Sequence, residues 1–334
     1  MSQVMVLGAG GWGIALALVA TRNSHTVTLW SHDPEELDDL RRNNQNRLRL
    51  PGVFLPHGLE LTGQIETAAT ADMVVMAVPS FAIRSTARRL RGHIRPGTVV
   101  VNAGKGLEDG TLKRFSQVLE EELPEARIAV LSGPSHAEEV ARRVPTTVTV
   151  AATDIEVAMR ARDVLNQPPF RIYVNSDLMG VELGGALKNV IALCAGIVDG
   201  LGLGDNTKAA LMTRGLAEMA RLGKAMGAHS HTFAGLSRMG DLMVTCGSLH
   251  SRNLRAGTLI GRGESVESAV RRVGTVEGYL AAGAAWQLAR QYEVSMPIVE
   301  QCYLICYEGK DPRQAVIDLI ERPSGTENEP QWMA

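Results

Sequence analysis

Apolar runs alternate with helix-permissive segments through the first half of the chain. The short, continuous apolar segments that predict strands are residues 4–7, 26–30, 71–78, 97–103, 128–132, 146–152 and 170–174. Such unbroken runs are typical of strands buried on both faces. The charged or amphipathic segments between them include residues 34–50, 81–92 and 111–123. Strands that alternate with helices predict a doubly wound parallel sheet.

From Asp177 onward the strand-like segments stop. The segments that predict helices, separated by glycine or proline, are residues 177–200, 205–228, 233–245, 251–261, 265–273, 278–292, 297–308 and 311–321. We therefore expect an α/β protein with a doubly wound N-terminal domain followed by an all-helical C-terminal domain. The predicted boundaries are 1–176 for the first domain and 177–322 for the second, with a loose tail at 323–334.

A glycine cluster follows the first strand. Gly8, Gly10 and Gly13 form the pattern G-x-G-x-x-G, and an apolar, strongly helix-forming run begins at Ile14. In a Rossmann-type domain the first glycine permits a tight turn, the second lets the backbone approach a pyrophosphate, and the third lets helix pack on strand. The helix N-terminus favours the phosphates. A second strand follows, so we favour dinucleotide binding over an ordinary glycine turn.

The end of the second strand bears on which dinucleotide binds. An acidic residue is expected there about 20 residues after the motif, but Ser31 and His32 occupy the position and Asp33 comes late. No carboxylate is therefore predicted for the ribose 2′-hydroxyl, and His32 can face a 2′-phosphate. We expect NADP to be accepted as well as NAD, and a preference for NADP is the alternative. A plain exposed loop histidine is the alternative for His32.

Length, composition and charge limit the remaining possibilities. A chain of 334 residues suggests two domains, since single cores stop growing near about 250–300 residues. A net charge of −2 gives no electrostatic case for nucleic acid or an anionic membrane as partner. We find no apolar run of roughly 18 residues and no signal peptide, which predicts a cytoplasmic protein. The cysteines, interpreted as buried thiols rather than a metal site, are Cys194, Cys246, Cys302 and Cys306.

Two turns at predicted strand ends carry unusual chemistry. Ligands of open α/β sheets bind outside the carboxyl ends of strands. Lys105 lies between two glycines at one such end, where a cation can reach a ligand, although a solvated loop lysine is the alternative. The turn at residues 132–137 offers backbone N–H groups and hydroxyls suited to an anion, or it simply builds the turn.

The helical half adds a second set of polar residues. Lys188 lies in a small and apolar helical segment, where an ammonium group is costly unless it is used or paired. Desolvation there lowers a lysine pKa toward neutrality and suits proton transfer, although a structural Asp–Lys pair is a rival interpretation. Asp241 offers a carboxylate. The triplet 251–253 offers a hydroxyl, a guanidinium and an amide, a good phosphate grip.

Nine ordered motifs together resemble a known family. They are GAGGWG, LWSHD, NAGKGLE, SGPSHAEEV, GVELGGALKNVIAL, TRGLAEMARLG, GLSRMGDLMVTC, SRNLRAG and VEGY, between about residue 3 and about residue 321. In this order and at these separations they are similar to the bacterial NAD(P)-dependent glycerol-3-phosphate dehydrogenases. The resemblance implies reversible reduction of dihydroxyacetone phosphate to sn-glycerol 3-phosphate for phospholipid synthesis. It also implies NADP or NAD as cofactor, no metal, a small-molecule substrate and a homodimer.

The same resemblance implies roles for individual residues. Lys188 matches the proton donor and acceptor at the C2 oxygen, Lys105 a lysine near nicotinamide and substrate, and Asp241 an acidic site residue. The matched substrate contacts are Lys105, Gly133, Ser135, Lys188, Asp241, Ser251, Arg252 and Asn253. The matched cofactor positions are Gly8, Gly10, Gly11, Trp12, Gly13, His32, Lys105, Ala137, Arg252, Thr275 and Glu277. The segment 274–277 is one residue shorter than the family pattern, so Thr275 and Val276 are alternatives for one cofactor contact.

Two other functions remain open at this point. Another two-domain dehydrogenase, of the hydroxyacid or sugar-acid type, also carries a lysine and an asparagine on a helix of its second domain. The Ser-Arg-Asn triplet argues against it because the triplet favours a phosphate on the substrate. A non-catalytic dinucleotide sensor is the second alternative. The presence of Lys105, Lys188, Asp241 and Arg252 argues against it, because a sensor does not need a proton-transfer lysine.

Overall fold

The computed structural model describes residues 1–323, so residues 324–334 of the predicted loose tail lie outside the described residues. The chain forms two compact units. The first unit comprises Met1–Gly104 and Lys113–Val181, and the second comprises Lys105–Leu112 and the chain from Glu182 onward. The segment 105–112, which carries Lys105, belongs to the second unit, whereas the segments before and after it in sequence belong to the first.

The first unit is built on an eight-stranded sheet. Its strands are β1 (Gln3–Leu7), β2 (Thr26–Trp30), β3 (Leu59–Thr62), β4 (Met73–Met76), β5 (Val99–Asn102), β6 (Arg127–Ser132), β7 (Thr146–Ala151) and β8 (Phe170–Asn175). The spatial order is β3-β2-β1-β4-β5-β6-β7-β8, and every neighbouring pair is parallel except β6–β7. The predicted doubly wound sheet is confirmed, and β6–β7 is the one antiparallel pair among its described strands.

Strand β1 explains why the predicted strands are continuously apolar. Val4 and Val6 belong to the core cluster on one face of the sheet, whereas Met5 and Leu7 belong to the cluster on the other face. Successive side chains of a strand point to opposite faces, so a sheet covered on both faces needs apolar residues at every position. Fully burying one such side chain is worth about 1.5–3 kcal/mol.

Helices cover both faces of this sheet. They are α1 (Gly11–Arg22), α2 (Pro34–Asn43), α3 (Ile83–Leu90), α4 (Phe115–Glu122), α5 (Ala137–Ala141) and α6 (Ile155–Leu165). Strand β3 was not predicted. Its four residues lie at the sheet edge and are only partly buried, so they lack the continuous apolar run of a central strand.

Helices are the regular elements of the second unit between Glu182 and residue 323. Its helices are the main part of α7 (Leu178–Leu201), α8 (Gly204–Ala225), α9 (Asp241–Gly247), α10 (Arg252–Gly261), α11 (Val266–Val273), α12 (Glu277–Gln291), α13 (Pro297–Glu308) and α14 (Pro312–Ile320). The predicted all-helical second half is confirmed. The single helix predicted at 233–245 is wrong, because a 3₁₀ turn at Ser230–Ala234 and a π-helical turn at Leu236–Gly240 precede α9.

Helix α7 bears on the expectation that no apolar run is long enough to span a bilayer. Among the residues that the structure describes, it is long and apolar enough by length and composition to cross a bilayer, with a mean hydropathy of 1.6. Glu182 and Lys188 interrupt its apolar sequence, so the expectation that the chain has no continuous apolar run of roughly 18 residues stands. The 18-residue window that meets the limit is 100% buried within the protein. Helix α7 is thus a core helix that the other helices surround, and its apolar composition follows from that burial.

Candidate active site

The glycine loop joins β1 to α1 in the first unit. Gly8 has a φ of +113°, a backbone conformation that residues with a side chain rarely adopt. A Cβ at this position would lie 2.7 Å from the Ala77 carbonyl oxygen. A Cβ at Gly13 would overlap the Gly8 carbonyl oxygen. At Gly10, by contrast, a Cβ would meet nothing within 4 Å, so there is open room beside the loop. The N-terminus of α1 therefore fits a pyrophosphate, as the motif predicts.

Trp12 and Ala137 lie beside this loop. The Trp12 indole Nε1 donates to the Ala103 carbonyl oxygen at 3.1 Å, which fixes the ring at the carboxyl end of β5. A Cβ at Gly11 would lie 3.7 Å from the Ala137 Cβ at the start of α5. The structure thus brings together the predicted cofactor positions at the glycine loop, Trp12 and Ala137.

The turn after β6 also belongs to the first unit. Gly133 has a φ of +143°, and a Cβ there would lie 2.9 Å from the Val148 Cα on β7. The Ser135 hydroxyl donates to the Gly133 carbonyl oxygen at 3.0 Å. The predicted substrate contacts Gly133 and Ser135 therefore form one tight turn that leads into α5.

The end of β2 contains a carboxylate that sequence reasoning missed. Glu36, in the first turn of α2, accepts a hydrogen bond from the Ser31 hydroxyl at 2.6 Å. Asn46 donates through Nδ2 to Glu36 Oε1 at 3.2 Å and to the Ala9 carbonyl oxygen at 3.1 Å. The predicted cofactor residue His32 is exposed, and its ring lies 6.2 Å from that of Trp30. The helix-start signal Asp33-Pro34 could have located Glu36, because it places that residue in the first turn.

Three predicted catalytic residues meet in the second unit. Asp241 accepts from Lys105 Nζ at 2.8 Å through Oδ2 and from Lys188 Nζ at 2.5 Å through Oδ1. The side chains of Asp241 and Lys188 are only 1% and 6% exposed, whereas that of Lys105 is 20% exposed. One buried carboxylate therefore holds two ammonium groups.

Thr245 completes this cluster and was not predicted. Lys188 Nζ donates to its hydroxyl oxygen at 2.7 Å, and the hydroxyl donates to the Asp241 carbonyl oxygen at 2.6 Å. Asp241 is the first residue of α9 and Thr245 lies one helical turn later, on the same side of the helix. That spacing within the motif GLSRMGDLMVTC is the signal that could have identified Thr245.

The environment of Lys188 tunes its acidity. Burial lowers the pKa of Lys188 to about 8, and the nearby Lys105 cation lowers it as well, while Asp241 opposes both effects. A lysine with such a pKa holds its proton at neutral pH and releases it with little cost, as proton transfer requires. Burial raises the pKa of the neighbouring Cys246 to about 12, which keeps that thiol protonated and excludes it as a nucleophile.

The predicted phosphate grip begins α10. Ser251 is the N-cap, and its hydroxyl accepts from the Leu254 N–H at 3.2 Å. Arg252 is exposed in the first turn. Asn253 is buried and donates to Asn189 Oδ1 at 2.9 Å, while its own Oδ1 accepts from the Gly278 N–H at 2.9 Å. The Asn253 side chain therefore links α7, α10 and α12, and this role was not predicted.

The start of α12 bears on the ambiguous cofactor contact. Val276 is only 2% exposed and belongs to the core, whereas Thr275 is partly exposed. The Thr275 side chain is thus the more accessible of the two. Glu277 is the first residue of α12, directly before the Gly278 that donates to Asn253.

A backbone contact aligns α7 with α10. A Cβ at Gly196 would lie 2.9 Å from the Gly257 Cα, and one at Gly200 would lie 2.8 Å from the Gly261 Cα. We call these four glycines the glycine seam. Because the two helices touch along the seam, α10 has a fixed position relative to the helix that carries Lys188.

Comparison with known sequences agrees with this geometry. Residues 3–158 match the family model described as NAD-dependent glycerol-3-phosphate dehydrogenase N-terminus. Residues 177–317 match the model for the C-terminus of the same family. The chain belongs to the NAD-dependent glycerol-3-phosphate dehydrogenase family. The resemblance found in its motifs is confirmed.

Individual members of the glycerol-3-phosphate dehydrogenase family match over nearly the full length. Glycerol-3-phosphate dehydrogenase [NAD(P)+] of Moorella thermoacetica is 54% identical over 323 residues, 96% of each chain. That of Desulfitobacterium hafniense is 53% identical over 323 residues, 96% of this chain and 92% of the relative. The crystal structure of glycerol-3-phosphate dehydrogenase from Coxiella burnetii superposes with a TM-score of 0.92 at 36% identity, covering 96% of this chain and 99% of that one.

Proposed function

We propose that this protein is an NAD(P)-dependent sn-glycerol-3-phosphate dehydrogenase. It reduces dihydroxyacetone phosphate reversibly to sn-glycerol 3-phosphate and so supplies glycerophospholipid synthesis. The observation that carries the proposal is the buried Lys188, whose ammonium group is held by Asp241 and Thr245 beside Lys105. Relatives at about half identity bear the same activity in their names.

The proposed chemistry assigns the proton to Lys188. When bound, the dinucleotide supplies the hydride that reduces C2 of the substrate. Lys188 delivers a proton to the C2 oxygen in reduction and removes it in oxidation, for which a pKa of about 8 is suitable. Lys105 and Lys188 stabilise the negative charge that develops on this oxygen, and Asp241 holds both ammonium groups in position.

The proposed phosphate site is the first turn of α10. Arg252 supplies a guanidinium group at a helix N-terminus, where both the side chain and the helix dipole favour a phosphate. Asn253 keeps this turn against α7 and α12 through its two hydrogen bonds. Ser251, Gly133 and Ser135 are further proposed substrate contacts.

The proposed cofactor site is the glycine loop with its neighbours. The residues assigned to it are Gly8, Gly10, Gly11, Trp12, Gly13, His32, Lys105, Ala137, Arg252, Thr275 and Glu277. We assign dinucleotide binding to a domain of residues 1–176 and substrate binding and catalysis to a domain of residues 177–322. The open room at Gly10 and the anchored indole of Trp12 support the first assignment.

We also propose a homodimer that works in the cytoplasm. Exposed apolar side chains on the second unit, such as Leu280 at 45% and Ile320 at 75%, support a further interface. The buried thiols of the second unit suit a reducing compartment. Light scattering on the purified protein and fractionation of the source cells test these two points, and a monomer or a membrane-bound pool would contradict them.

The decisive experiment is oxidation of NADH and, separately, NADPH on adding dihydroxyacetone phosphate. Unphosphorylated dihydroxyacetone is the control for the phosphate requirement. Rapid oxidation that depends on the phosphate supports the proposal. Folded protein that binds the reduced cofactor but oxidises it with neither substrate would overturn the assignment and favour a dinucleotide sensor.

A further inference from the structure

The end of β2 holds a carboxylate that comes from outside the strand. Ser31 directly follows β2, and its hydroxyl donates to Glu36 Oε2 at 2.6 Å. Asn46 donates to Glu36 Oε1 at 3.2 Å. Glu36 is thus tied down on both oxygens by polar groups that are themselves buried.

This carboxylate lies next to the glycine loop. Strand β2 pairs with β1 so that Leu7 faces Trp30, and the Gly8 N–H donates to the Trp30 carbonyl oxygen at 2.9 Å. Asn46, which holds Glu36, also donates to the carbonyl oxygen of Ala9 between the first two glycines of the motif. In dinucleotide-binding domains of this kind, the acidic residue at this corner accepts from the ribose 2′-hydroxyl of NAD.

We propose that Glu36 is the ribose-binding acid of this chain and makes the enzyme favour NAD(H) over NADP(H). The inference rests on the proposed dehydrogenase function and names its preferred cofactor. An ionised carboxylate has about four acceptor positions, and the bonds from Ser31 and Asn46 occupy one on each oxygen. Each oxygen can therefore still accept from a ribose hydroxyl.

The 2′-phosphate of NADP would meet this carboxylate unfavourably. It removes the hydroxyl donor and adds negative charge beside a carboxylate that two hydrogen bonds hold in place. A like-charge contact at a binding site disfavours the ligand that makes it. The enzyme therefore discriminates against NADP(H), because Ser31 and Asn46 hold the Glu36 carboxylate in place and keep it from rotating away from the 2′-phosphate.

Two further side chains lie around Trp30 at this corner. The His32 ring is near the Trp30 ring, and the Arg89 guanidinium lies over that ring at 5.1 Å from its centroid. His32 and Arg89 thus contact the Trp30 ring, whereas Glu36 is held by Ser31 and Asn46. We therefore assign the cofactor choice to Glu36.

The test replaces Glu36 by glutamine and compares it with Glu35→Gln. Glu35 is the exposed neighbour in the same first turn of α2, so the two variants change charge equally. Dissociation constants of NADH and NADPH, and of AMP and 2′-AMP, are measured by titration together with kcat/KM for both cofactors. We expect wild type and Glu35→Gln to favour NADH. Glu36→Gln should shift the NADPH to NADH ratio by about tenfold or more, equal to about 1.4 kcal/mol.

Each outcome is decisive. An unchanged ratio in folded Glu36→Gln, or a wild type that prefers NADPH, overturns the inference. If Glu36→Gln does not fold, Ser31→Ala is the second variant. It removes one anchor of the carboxylate and should weaken NADH binding selectively, and equal effects on both cofactors would overturn the inference. If the wild-type protein binds NADH but does not oxidise it when dihydroxyacetone phosphate is added, the proposed function fails. The change in NADPH and NADH dissociation constants between wild type and Glu36→Gln can still be measured in that case.

Discussion

The hydroxyl of Thr245 offers a direct test of the lysine cluster. Thr245→Val keeps the shape of the side chain but removes the oxygen that accepts from Lys188 Nζ at 2.7 Å. The ammonium form of Lys188 loses a partner whereas the neutral amine loses little. The pKa of Lys188, already lowered to about 8 by burial, should therefore fall further.

The size of the effect follows from the lost hydrogen bond. A hydrogen bond to a charged group contributes about 1.5–3 kcal/mol, which at 1.36 kcal/mol per pH unit lowers the pKa of Lys188 by about one to two pH units. The protonated fraction, and with it kcat for reduction, should therefore fall roughly tenfold to a hundredfold at pH values above the wild-type pKa. Reduction needs protonated Lys188, so its rate falls as pH rises through this pKa. In Thr245→Val the fall should begin at lower pH than in wild type.

The assay is kcat for reduction of dihydroxyacetone phosphate at saturating cofactor from neutral to alkaline pH. Thr21→Val is the matched control, because Thr21 donates to a carbonyl oxygen one turn back on its helix, as Thr245 does, without contacting a lysine. A folded Thr245→Val enzyme with unchanged kcat and an unmoved alkaline limb would refute the role of Thr245 at Lys188.

Three further predictions concern single side chains. Lys188→Ala should lower kcat by about 10²–10⁴-fold, the usual contribution of general acid–base catalysis, with little change in the dissociation constant of NADH. Retained turnover would remove Lys188 from the catalytic role. Arg252→Ala should mainly raise KM for dihydroxyacetone phosphate, by about tenfold or more for the loss of a charge-assisted bond, and an unchanged KM would argue against the phosphate grip. Burial raises the pKa of Glu218 to about 7, even though its carboxylate accepts from the N–H groups of Ile298 and Val299. The folded state therefore binds more protons than the unfolded state between the ordinary glutamate pKa and about 7, so stability should fall as pH rises through this window, by up to about 3 kcal/mol. Denaturant titrations of wild type and Glu218→Gln should show this slope in wild type alone, and equal slopes would contradict the prediction.

The sequence predicted those parts of the fold that depend on residues close together in the chain. The glycine loop is one such part, because strand, turn and helix follow one another within a few residues and each glycine has its own steric reason. Strand β3 escaped prediction because an edge strand needs little apolar sequence. The antiparallel pairing of β6 with β7 depends on how the chain returns after α5, which no hydrophobic pattern records.

The same distinction applies to the candidate active site, where single residues could be predicted from the sequence but the contacts between them could not. Lys188 and Asp241 could be proposed separately, from a costly charge in an apolar helix and from a family motif. Their bond joins residues 53 positions apart and needed the folded structure. The lysine–asparagine pair on α7 was visible in the sequence, but the bond from Asn253 to Asn189 joins two helices and needed the folded structure. Glu36 was overlooked since the expected acid was sought on the strand, whereas the carboxylate reaches the same corner from the next helix.

The glycine seam has a consequence for which molecules the enzyme can accept. Helix α7 carries the proposed proton donor Lys188, and α10 begins with the proposed phosphate ligand Arg252. Any side chain in place of a seam glycine would overlap the backbone of the facing helix and force the two helices apart. Small adjustments of their separation by substitution are therefore excluded. If Lys188 and Arg252 act as proposed, the seam sets the separation between the carbonyl end and the phosphate end of the substrate. A longer sugar phosphate would then need the two helices to pack at a different separation.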